Sequence, residues 1–340
     1  MGNLKISLIP YTYQLKHSFN LAIYSRTTTP AVLLKIQTPD ITAWGEASLP
    51  PYLGETQESV MSFINRFNLE RFSESDSLET ILHEVDNFEP NNTAAKAAID
   101  IALHNLKAQL GGISLQQQFG IHTEFTLPTS YTIGIDSPEN VASRATEAKD
   151  FNVLKIKLGG ANDREMIAAV RSVTDKPIYV DVNQGWKTLD QAEKESDWLA
   201  KMGVVLIEQP FPKDWLEETA RLREKSPLPL FADESCQRLA DVEKMAQAFQ
   251  GINIKLMKCT GMAEAAKMIS LARKLNLKIM MGSMTESSVA TLAANTFAPL
   301  VDFIDLDGPW LIANNPFETP KLQGGVLMES SPKLQPEVNL

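Results

Sequence analysis

From about residue 126, short apolar runs rich in β-branched residues alternate with amphipathic stretches. The runs include VLKIKLG, PIYVDVN and VVLIEQP, and helix-like segments such as LDQAEKESDWLAKMG lie between them. Strands that alternate with helices form a parallel sheet, because right-handed crossovers bring the chain back to the same sheet. Eight runs of similar spacing favour a closed α/β barrel of the (β/α)8 type, and an open doubly wound sheet is the alternative.

The first 122 residues have a different texture, which predicts an α+β unit. LKISLIPYTYQL and AVLLKIQT alternate as strands do, and a long helix is predicted over NNTAAKAAIDIALHNLKAQLGG. Asn92 or Thr93 is its expected N-cap, and a pair of glycines is its expected stop. We expect three units along the chain: a capping domain over residues 1–122, the barrel over 123–313, and a return to the capping domain from about 314 to 340.

Composition and charge argue against several classes of protein. The chain has 340 residues and a net charge of −10, which disfavours a nucleic acid or an anionic membrane as partner. Its 2 cysteines cannot form a disulfide framework, which is typical of a reducing compartment. No run approaches the length of a membrane span, and the first residues lack the apolar core of a signal peptide. We therefore expect a soluble cytoplasmic protein.

Nearly every barrel run carries a charged residue towards its C-terminal end. Parallel barrel strands are usually continuous apolar runs because both of their faces are covered. These charged residues follow one another at intervals of 22 to 27 residues, about one strand, loop and helix. Active sites form at the C-terminal ends of barrel strands, so the pattern indicates one. The residues on predicted strands 2 to 6 are Lys157, Asp181, Glu208, Asp233 and Lys255.

Asp181, Glu208 and Asp233 would converge as three carboxylates from adjacent strands. Such a cluster repels itself unless a cation is present. Three oxygen ligands without a nearby histidine or cysteine favour a hard ion, and Mg²⁺ suits them best. All 4 histidines precede the barrel strands, which excludes imidazole zinc sites and serine–histidine chemistry from those strands. Salt bridges to lysines and arginines on the helices are the alternative role for the three carboxylates.

Lys157 and Lys255 are predicted to lie four strands apart, on opposite sides of an eight-stranded ring. A substrate carboxylate bound to the metal would then present its α-carbon with one lysine on each face. Lys155 shares the face of Lys157, and together with the metal it is expected to lower the pKa of Lys157. Two bases on opposite faces would invert a stereocentre. From LKIKLGG alone, a solvated edge strand is the alternative.

These motifs resemble the enolase superfamily, in its muconate-lactonising-enzyme-like subgroup. The resemblance covers essentially the whole chain and rests on KIK at 155–157, DVN at 181–183, EQP at 208–210, ADES at 232–235 and NIKLMK at 253–258. It implies a modified (β/α)7β barrel beneath an α+β capping domain whose loops cover the site. It also implies that the two strand-end lysines are the acid/base pair and that the three carboxylates bind Mg²⁺. Asn183 stands in a supporting position.

Within this subgroup, DLDGP at 305–309 resembles the dipeptide epimerases. Asp305 and Asp307 would hold the free ammonium of a dipeptide at a fixed distance from the metal-bound carboxylate. An acid pair that caps a turn is the alternative. The resemblance also implies three further substrate contacts nearby, which are Thr132, Lys155 and Ser283. It places Met284 next to them as a supporting residue.

The first capping-domain loop bears on which amino acid is epimerised. In dipeptide epimerases for Ala-Glu, an arginine in this loop is expected to hold the Glu side chain. Aligning SFNLAIYSR with the loop puts Ile23 at that position, while Arg26 is close by but out of register. We therefore expect Ile23 to contact a small or apolar residue, such as the second Ala of Ala-Ala, and not Glu.

Together these patterns predict a Mg²⁺-dependent dipeptide epimerase, an isomerase that exchanges the α-proton of the C-terminal residue between two bases. Its expected partner is a small dipeptide, and capped barrels often assemble as homo-oligomers. Three alternatives use the same site: o-succinylbenzoate synthase chemistry, muconate cycloisomerase chemistry and Ala-Glu epimerisation. A Schiff-base lyase on Lys255 and a non-catalytic metal-binding scaffold are the more distant alternatives.

Overall fold

A three-stranded antiparallel sheet and four helices come first in the chain. The structure is a computed structural model, and it describes residues 4–21, 24–123 and 127–340. The sheet has the order β1-β2-β3 and packs against the third helix. The strands are β1 (Lys5–Asn20), β2 (Ser25–Gln37) and β3 (Thr42–Ser48), and the helices are α1 (Gln57–Phe67), α2 (Leu78–Phe88), α3 (Thr93–Gly111) and α4 (Leu115–Gln118).

Eight parallel strands follow, each paired with its successor in the chain. They are β4 (Ser130–Ile133), β5 (Val153–Lys157), β6 (Ile178–Asp181), β7 (Val204–Glu208), β8 (Leu230–Ala232), β9 (Gly251–Lys255), β10 (Lys278–Gly282) and β11 (Phe303–Asp305). A parallel bridge between Thr129 and Ile304 joins the first strand to the last, so the barrel is nearly closed. This confirms the predicted barrel and excludes the open doubly wound sheet.

A helix connects each barrel strand to the next, which gives the predicted (β/α)7β connectivity. The connecting helices are α5 (Pro138–Glu147), α6 (Asp163–Arg171), α7 (Leu189–Lys201), α8 (Leu216–Lys225), α9 (Val242–Ala248), α10 (Met262–Lys274) and α11 (Ser288–Asn295). The described chain ends with the short elements α12 (Gly308–Leu311), β12 (Leu322–Gln323) and β13 (Val326–Leu327). The predicted capping domain and barrel are therefore both present.

The interior of the barrel has an apolar floor and a charged upper layer. Side chains two residues apart on a strand share a face, so each strand repeats this change of polarity at the same height. The floor is a buried cluster formed by Val153, Tyr179, Leu206, Phe231 and Met280. On four of these strands, the residue two positions after the floor residue is charged and also faces inward. These charged residues are Lys155, Asp181, Glu208 and Asp233.

Helix α3 begins and ends where the sequence predicts, but a distant residue caps its start. Asn92 occupies the N-cap position with φ of 52° and makes no capping hydrogen bond through its side chain. Instead, the carboxylate of Glu55 accepts hydrogen bonds from the backbone N–H groups of Ala94 (2.8 Å) and Ala95 (3.2 Å). Such an acid satisfies free backbone donors and complements the helix dipole.

The middle of α3 is joined directly to the barrel. Asp100 accepts hydrogen bonds from the backbone N–H groups of Met262 (2.6 Å) and Ala263 (3.2 Å), which open α10. Gly261, just before them, has φ of +118°, and a Cβ there would lie 2.4 Å from the Asp100 side chain. This close approach requires glycine. A capping-domain side chain therefore serves as the N-terminal cap of a barrel helix.

The last residues of the chain contact the first sheet. The Asn314 side chain bonds to the backbone N–H of Gln14 (2.7 Å) and to the carbonyl of Thr12 (2.9 Å). The Phe317 ring meets the Trp44 ring edge-on at 5.3 Å. These contacts agree with the expected return of the C-terminal segment, and the domain boundaries themselves stay a prediction.

Two composition-based expectations can be compared with the structure. Both cysteines, Cys236 and Cys259, are free and buried. Within the described ranges, the structure contains no helix with the length and apolar character needed to cross a membrane. The expected cytoplasmic location and homo-oligomer stay predictions.

Substitution of Gly45 tests how closely the first sheet packs on α3. A Cβ at Gly45 would lie 1.9 Å from the carbonyl oxygen of Ala98 and 2.9 Å from Cβ of Ala102. We predict that Gly45→Ala lowers the free energy of unfolding by about 1–3 kcal/mol, because the sheet must move away from the helix. Urea denaturation measures this change.

Gly111, in the last turn of α3, is the matched control. A Cβ there would find its nearest neighbour at 3.5 Å. Gly111→Ala is expected to leave the free energy of unfolding unchanged or to raise it by about 0.5–1 kcal/mol. Equal destabilisation by the two substitutions would contradict the proposed steric cause at Gly45.

Candidate active site

The ends of the barrel strands and the tip of the β1–β2 hairpin line one cavity. The capping domain contributes Phe19, Tyr24, Arg26 and Tyr52. The barrel contributes, among others, Thr132, Lys155, Lys157, Asn183, Asp233, Glu234, Lys255, Ser283, Met284, Asp305 and Asp307. Most of the residues predicted for the site therefore meet in one place. Ile23, the remaining predicted contact, lies outside the described residues.

Asp181, Glu208 and Asp233 lie side by side in the wall of the barrel. One carboxylate oxygen of each lies within 4.8 Å of the others, and all three residues are buried. The parallel register brings Asp181 opposite Glu208. Glu208 Oε2 accepts no hydrogen bond from the described chain, although Lys155 Nζ lies 2.7 Å away. A buried set of three carboxylates this close together fits the hard divalent cation expected from the sequence.

The site holds more acidic groups than basic ones. Five cations face six carboxylates here: Lys155, Lys157, Lys255, Lys258 and Arg26, against Asp181, Glu208, Asp233, Glu234, Asp305 and Asp307. Burial, with nearby carboxylates adding to it, raises the pKa of Glu208, Glu234 and Asp307 to about 7 each. Crowded buried acids hold protons in this way when positive charge is insufficient. A divalent cation would supply the missing charge.

Lys155 lies at the centre of the charged layer and is 1% exposed. Its Nζ is 2.7 Å from Asp305 Oδ2, 2.7 Å from Glu208 Oε2 and 3.3 Å from Asp181 Oδ2. Burial by itself would lower the pKa of Lys155, but these carboxylates outweigh it and raise the pKa well above its ordinary value. Lys155 is therefore a permanent cation inside the barrel, and the solvated-edge alternative for its strand is excluded.

Lys157 and Lys255 lie on opposite sides of the triad. They end β5 and β9, four strands apart in the ring, and both line the cavity. Lys157 Nζ is 2.6 Å from Asp181 Oδ2, and Lys255 Nζ is 2.7 Å from Asp233 Oδ2. Burial acts to lower the pKa of Lys255, but Asp233, Tyr52 and Glu208 together outweigh it and raise the pKa well above its ordinary value. The predicted placement of one ammonium on each side of the triad is thus present.

The two carboxylates at the end of β11, Asp305 and Asp307, have different partners. Asp305 accepts hydrogen bonds from Ser130 Oγ (2.7 Å) and Lys155 Nζ (2.7 Å), so both of its oxygens are engaged. Asp307 Oδ2 accepts one from the backbone N–H of Thr132 (2.5 Å), and it forms no ion pair with a described residue. Its side chain does not cap α12 either, which disfavours the turn-capping alternative. Asp307 is therefore the better-placed acid for a substrate ammonium.

The remaining predicted residues line the cavity and hold its walls. Ser283 Oγ donates a hydrogen bond to the carbonyl of Asp305 at 3.2 Å. Met284 Sδ accepts one from the Tyr52 hydroxyl at 3.2 Å. The backbone N–H of Asn183 donates to Asp181 Oδ1 at 2.9 Å, which orients that carboxylate.

Asn183 also contacts Glu234, an acidic residue of the site to which the sequence analysis assigned no role. Asn183 Nδ2 donates to Glu234 Oε1 at 3.3 Å, and both side chains line the cavity. Glu234 Oε2 is buried and accepts no hydrogen bond from the described residues. Its position directly after Asp233 in ADES was the available signal, but adjacent residues on a strand point to opposite faces. Only the turn after β8 brings both acids to one cavity.

Two further residues orient the triad, and both stand in the NIKLMK motif. Lys258 Nζ donates hydrogen bonds to Asp233 Oδ1 (2.5 Å) and to the Asp233 carbonyl (2.7 Å). Asn253 Nδ2 donates to Glu208 Oε1 at 2.8 Å. Asn253 comes two residues before Lys255 and so shares its inward face, a signal that identifies it from the sequence. Lys258 lies beyond the strand, where this spacing rule no longer applies.

The hairpin tip brings an arginine into the cavity. Arg26 pairs with Phe19 across the strands, and its guanidinium carbon is 5.3 Å from the centre of the Phe19 ring. Arg26 Nη2 donates a hydrogen bond to Thr285 Oγ1 at 2.9 Å. Arg26 Nε and Nη1 are buried and have no hydrogen-bond partner among the described residues. The sequence alignment, which left Arg26 out of register, did not predict this position.

Comparisons with known proteins agree with this geometry. Residues 5–120 match the family model of the mandelate racemase / muconate lactonizing enzyme N-terminal domain, and residues 139–318 match the enolase C-terminal domain-like family. The L-Ala-D/L-Glu epimerase of Bacteroides thetaiotaomicron is 52% identical over 325 residues, which cover 95% of this chain and 85% of the relative.

Two solved structures share the whole fold. A substrate-liganded complex of the L-Ala-D/L-Glu epimerase from Bacillus subtilis has a TM-score of 0.90 and 29% identity, with 98% of each chain covered. The dipeptide epimerase from Cytophaga hutchinsonii, complexed with Mg and D-Ala-L-Val, has a TM-score of 0.91 and 25% identity, with 98% of this chain and 96% of that chain covered. The chain therefore belongs to the dipeptide epimerases of the mandelate racemase and muconate lactonizing enzyme family, within the enolase superfamily.

Proposed function

We propose that this protein is a Mg²⁺-dependent dipeptide epimerase that inverts the α-carbon of the C-terminal residue of its substrate. One observation carries the proposal: Lys157 and Lys255 face one cavity from opposite walls, with the carboxylate triad between them. Synthases and cycloisomerases of the o-succinylbenzoate and muconate kind need one essential lysine and no partner for an ammonium group. The second lysine and the unpaired Asp307 therefore favour dipeptide epimerisation.

The charged groups of the cavity fix the two ends of a dipeptide. Asp181, Glu208 and Asp233 would hold Mg²⁺, which when bound would supply positive charge for the substrate carboxylate and for the negative charge left when the α-proton departs. Asp307, which has no other ion-pair partner in the described chain, attracts the substrate ammonium. With both ends held, the α-carbon of the second residue lies between the two lysines.

Two lysines then exchange the proton across the α-carbon. A cation at the triad would offset the carboxylates that keep Lys255 protonated, which allows one lysine of the pair to be neutral. The neutral lysine takes the α-proton as the C–H bond breaks, and the protonated lysine on the other face donates a proton to the opposite side of the carbon. Lys157 and Lys255 exchange the roles of base and acid according to the stereochemistry of the substrate. The apolar floor beneath them excludes water from below.

The lysine pair is tested by α-proton exchange in D₂O, followed by NMR with both stereoisomers of the substrate. We predict that Lys157→Ala and Lys255→Ala each lower epimerisation by about 10²–10⁴-fold or more, because one face loses its proton carrier. Each variant should lose exchange mainly with the stereoisomer whose α-proton faces the missing lysine. Lys244→Ala on exposed α9 is the control, and wild-type exchange in Lys157→Ala would contradict the assignment.

The metal site is tested by the protons it releases. Burial and then Asp181 raise the pKa of Glu208 to about 7, so this carboxyl is largely protonated at pH 6 and largely ionised at pH 8. We predict that Mg²⁺ binding releases more protons at pH 6 than at pH 8, which calorimetry in buffers of different ionisation enthalpy measures. EDTA should abolish epimerisation, and Mg²⁺ should restore it. Equal proton release at both pH values would contradict this account of the triad.

We further propose that the epimerised residue carries an acidic side chain. The support is Arg26, a half-buried cation whose Nε and Nη1 atoms are buried and lack partners among the described residues. Buried arginine donors are satisfied best by a carboxylate, and the name of the Bacteroides thetaiotaomicron relative agrees with this choice. A small neutral residue is the second candidate. It rests on Ile23, and it stays a prediction.

Arg26→Met tests the acidic side chain. We predict that the ratio of kcat/KM for L-Ala-L-Glu to that for L-Ala-L-Leu falls by about 10–10²-fold, because a hydrogen-bonded charge is lost. Arg164→Met is the control, since Arg164 lies at the surface in a salt bridge with Glu195. A wild-type enzyme that prefers L-Ala-L-Ala to L-Ala-L-Glu would favour the small neutral candidate instead.

The cytoplasmic location and the assembly into homo-oligomers belong to the same proposal. The two free cysteines support a reducing compartment. Fractionation of the native cells tests the location, and sedimentation of the purified chain tests the assembly.

A further inference from the structure

Thr285 contacts Arg26, the arginine proposed above to bind an acidic side chain of the substrate. It lies in the loop after β10, lines the cavity and is 2% exposed. Its hydroxyl accepts from Arg26 Nη2 the one hydrogen bond that this guanidinium donates to the described residues. A guanidinium carries five N–H donors in a rigid plane, so one fixed bond decides which edge faces the ligand. Thr285 thus leaves the Nε and Nη1 donors of Arg26 for a substrate.

The capping domain holds Thr285 in place. Ser48 Oγ, at the end of β3, donates a hydrogen bond to the Thr285 carbonyl at 2.7 Å. Two residues further, Ser287 donates to Glu46 through its backbone N–H (2.8 Å) and its hydroxyl (2.5 Å). Ser48, Glu46 and Ser287 are all fully buried. The backbone on both sides of Thr285 is therefore fixed by the packing of the two domains.

The hairpin supplies a second contact to Arg26. The Phe19 ring lies against the guanidinium. The hairpin itself is docked on the barrel, because Asn20 Nδ2 donates to the Ile135 carbonyl (2.7 Å) and the Ile135 N–H donates to the Asn20 carbonyl (3.0 Å). Arg26 is thus held between an aromatic ring from its own hairpin and a hydroxyl from the barrel.

We propose that Thr285 is a positioning residue that determines specificity for an acidic side chain by orienting Arg26. The inference rests on the proposed function and on the acidic side chain assigned above. Thr285 acts through Arg26 and not on the reacting atoms. Loss of its hydroxyl should therefore weaken recognition of the acid and leave proton transfer intact.

The test compares kcat/KM for L-Ala-L-Glu and L-Ala-L-Leu in matched variants. Thr285→Val keeps the shape of the side chain and removes the acceptor, so the preference for L-Ala-L-Glu should fall about tenfold, mainly through KM. Thr285→Ser restores the hydroxyl and should restore the preference. Thr291→Val is the control, because the Thr291 hydroxyl is buried in α11 without a partner among the described residues.

Melting temperature with and without Mg²⁺ shows that each variant is folded. Where Thr285→Val unfolds, Thr285→Ala removes the same hydroxyl and takes its place. An equal loss for both dipeptides, or an unchanged preference, would overturn the role of Thr285. A wild-type protein that exchanges no dipeptide α-proton would instead overturn the proposed function, so the two failures are distinguishable.

Discussion

The buried ammonium of Lys155 is the interaction on which the barrel interior depends. It contacts carboxylates from three separate strands: Asp181, Glu208 and Asp305. Buried charges are tolerated only when they are paired, and breaking such a pair costs about 3–5 kcal/mol. The triad on one side and Asp305 on the other can therefore share one small space. Lys155 is what separates them.

The apolar floor strengthens the electrostatic interactions between these charges. Tyr179, Leu206 and Phe231 fill the barrel below the charged layer, so the interactions above them are poorly screened. The same alternation along each strand creates both layers, because a strand that presents an apolar residue inward presents its next inward residue two positions later. The chemistry and the stability of this barrel thus come from one repeating pattern.

Much of this arrangement could be predicted from the sequence. The strand–helix alternation predicted the barrel, and the charges at strand ends predicted the triad and the two lysines. Both predictions were possible because they depend on residue spacing within regular elements. Lys258, Glu234 and the Glu55 cap of α3 could not be found in this way. Each acts from a loop or turn on a partner far along the chain, and such contacts follow from tertiary packing. The presence of Arg26 in the cavity was not predicted for a related reason, because Arg26 lies at an irregular point of the hairpin.

That irregularity has a consequence for how substrate choice is encoded. In the hairpin Gln14 pairs with Thr28, whereas Phe19 pairs with Arg26, so the pairing shifts between these points by an odd number of residues. An odd shift exchanges the two faces of a strand. Arg26 and Thr28 lie two residues apart on β2 and share a face, so the extra residues lie on β1, between Gln14 and Phe19. Adding or removing one residue there would change the face on which Phe19 meets Arg26 while every residue of the barrel stayed unchanged. Since we propose that Arg26 recognises the substrate side chain, the number of residues in this part of β1 is expected to affect specificity, and a comparison of residue identities alone would miss it.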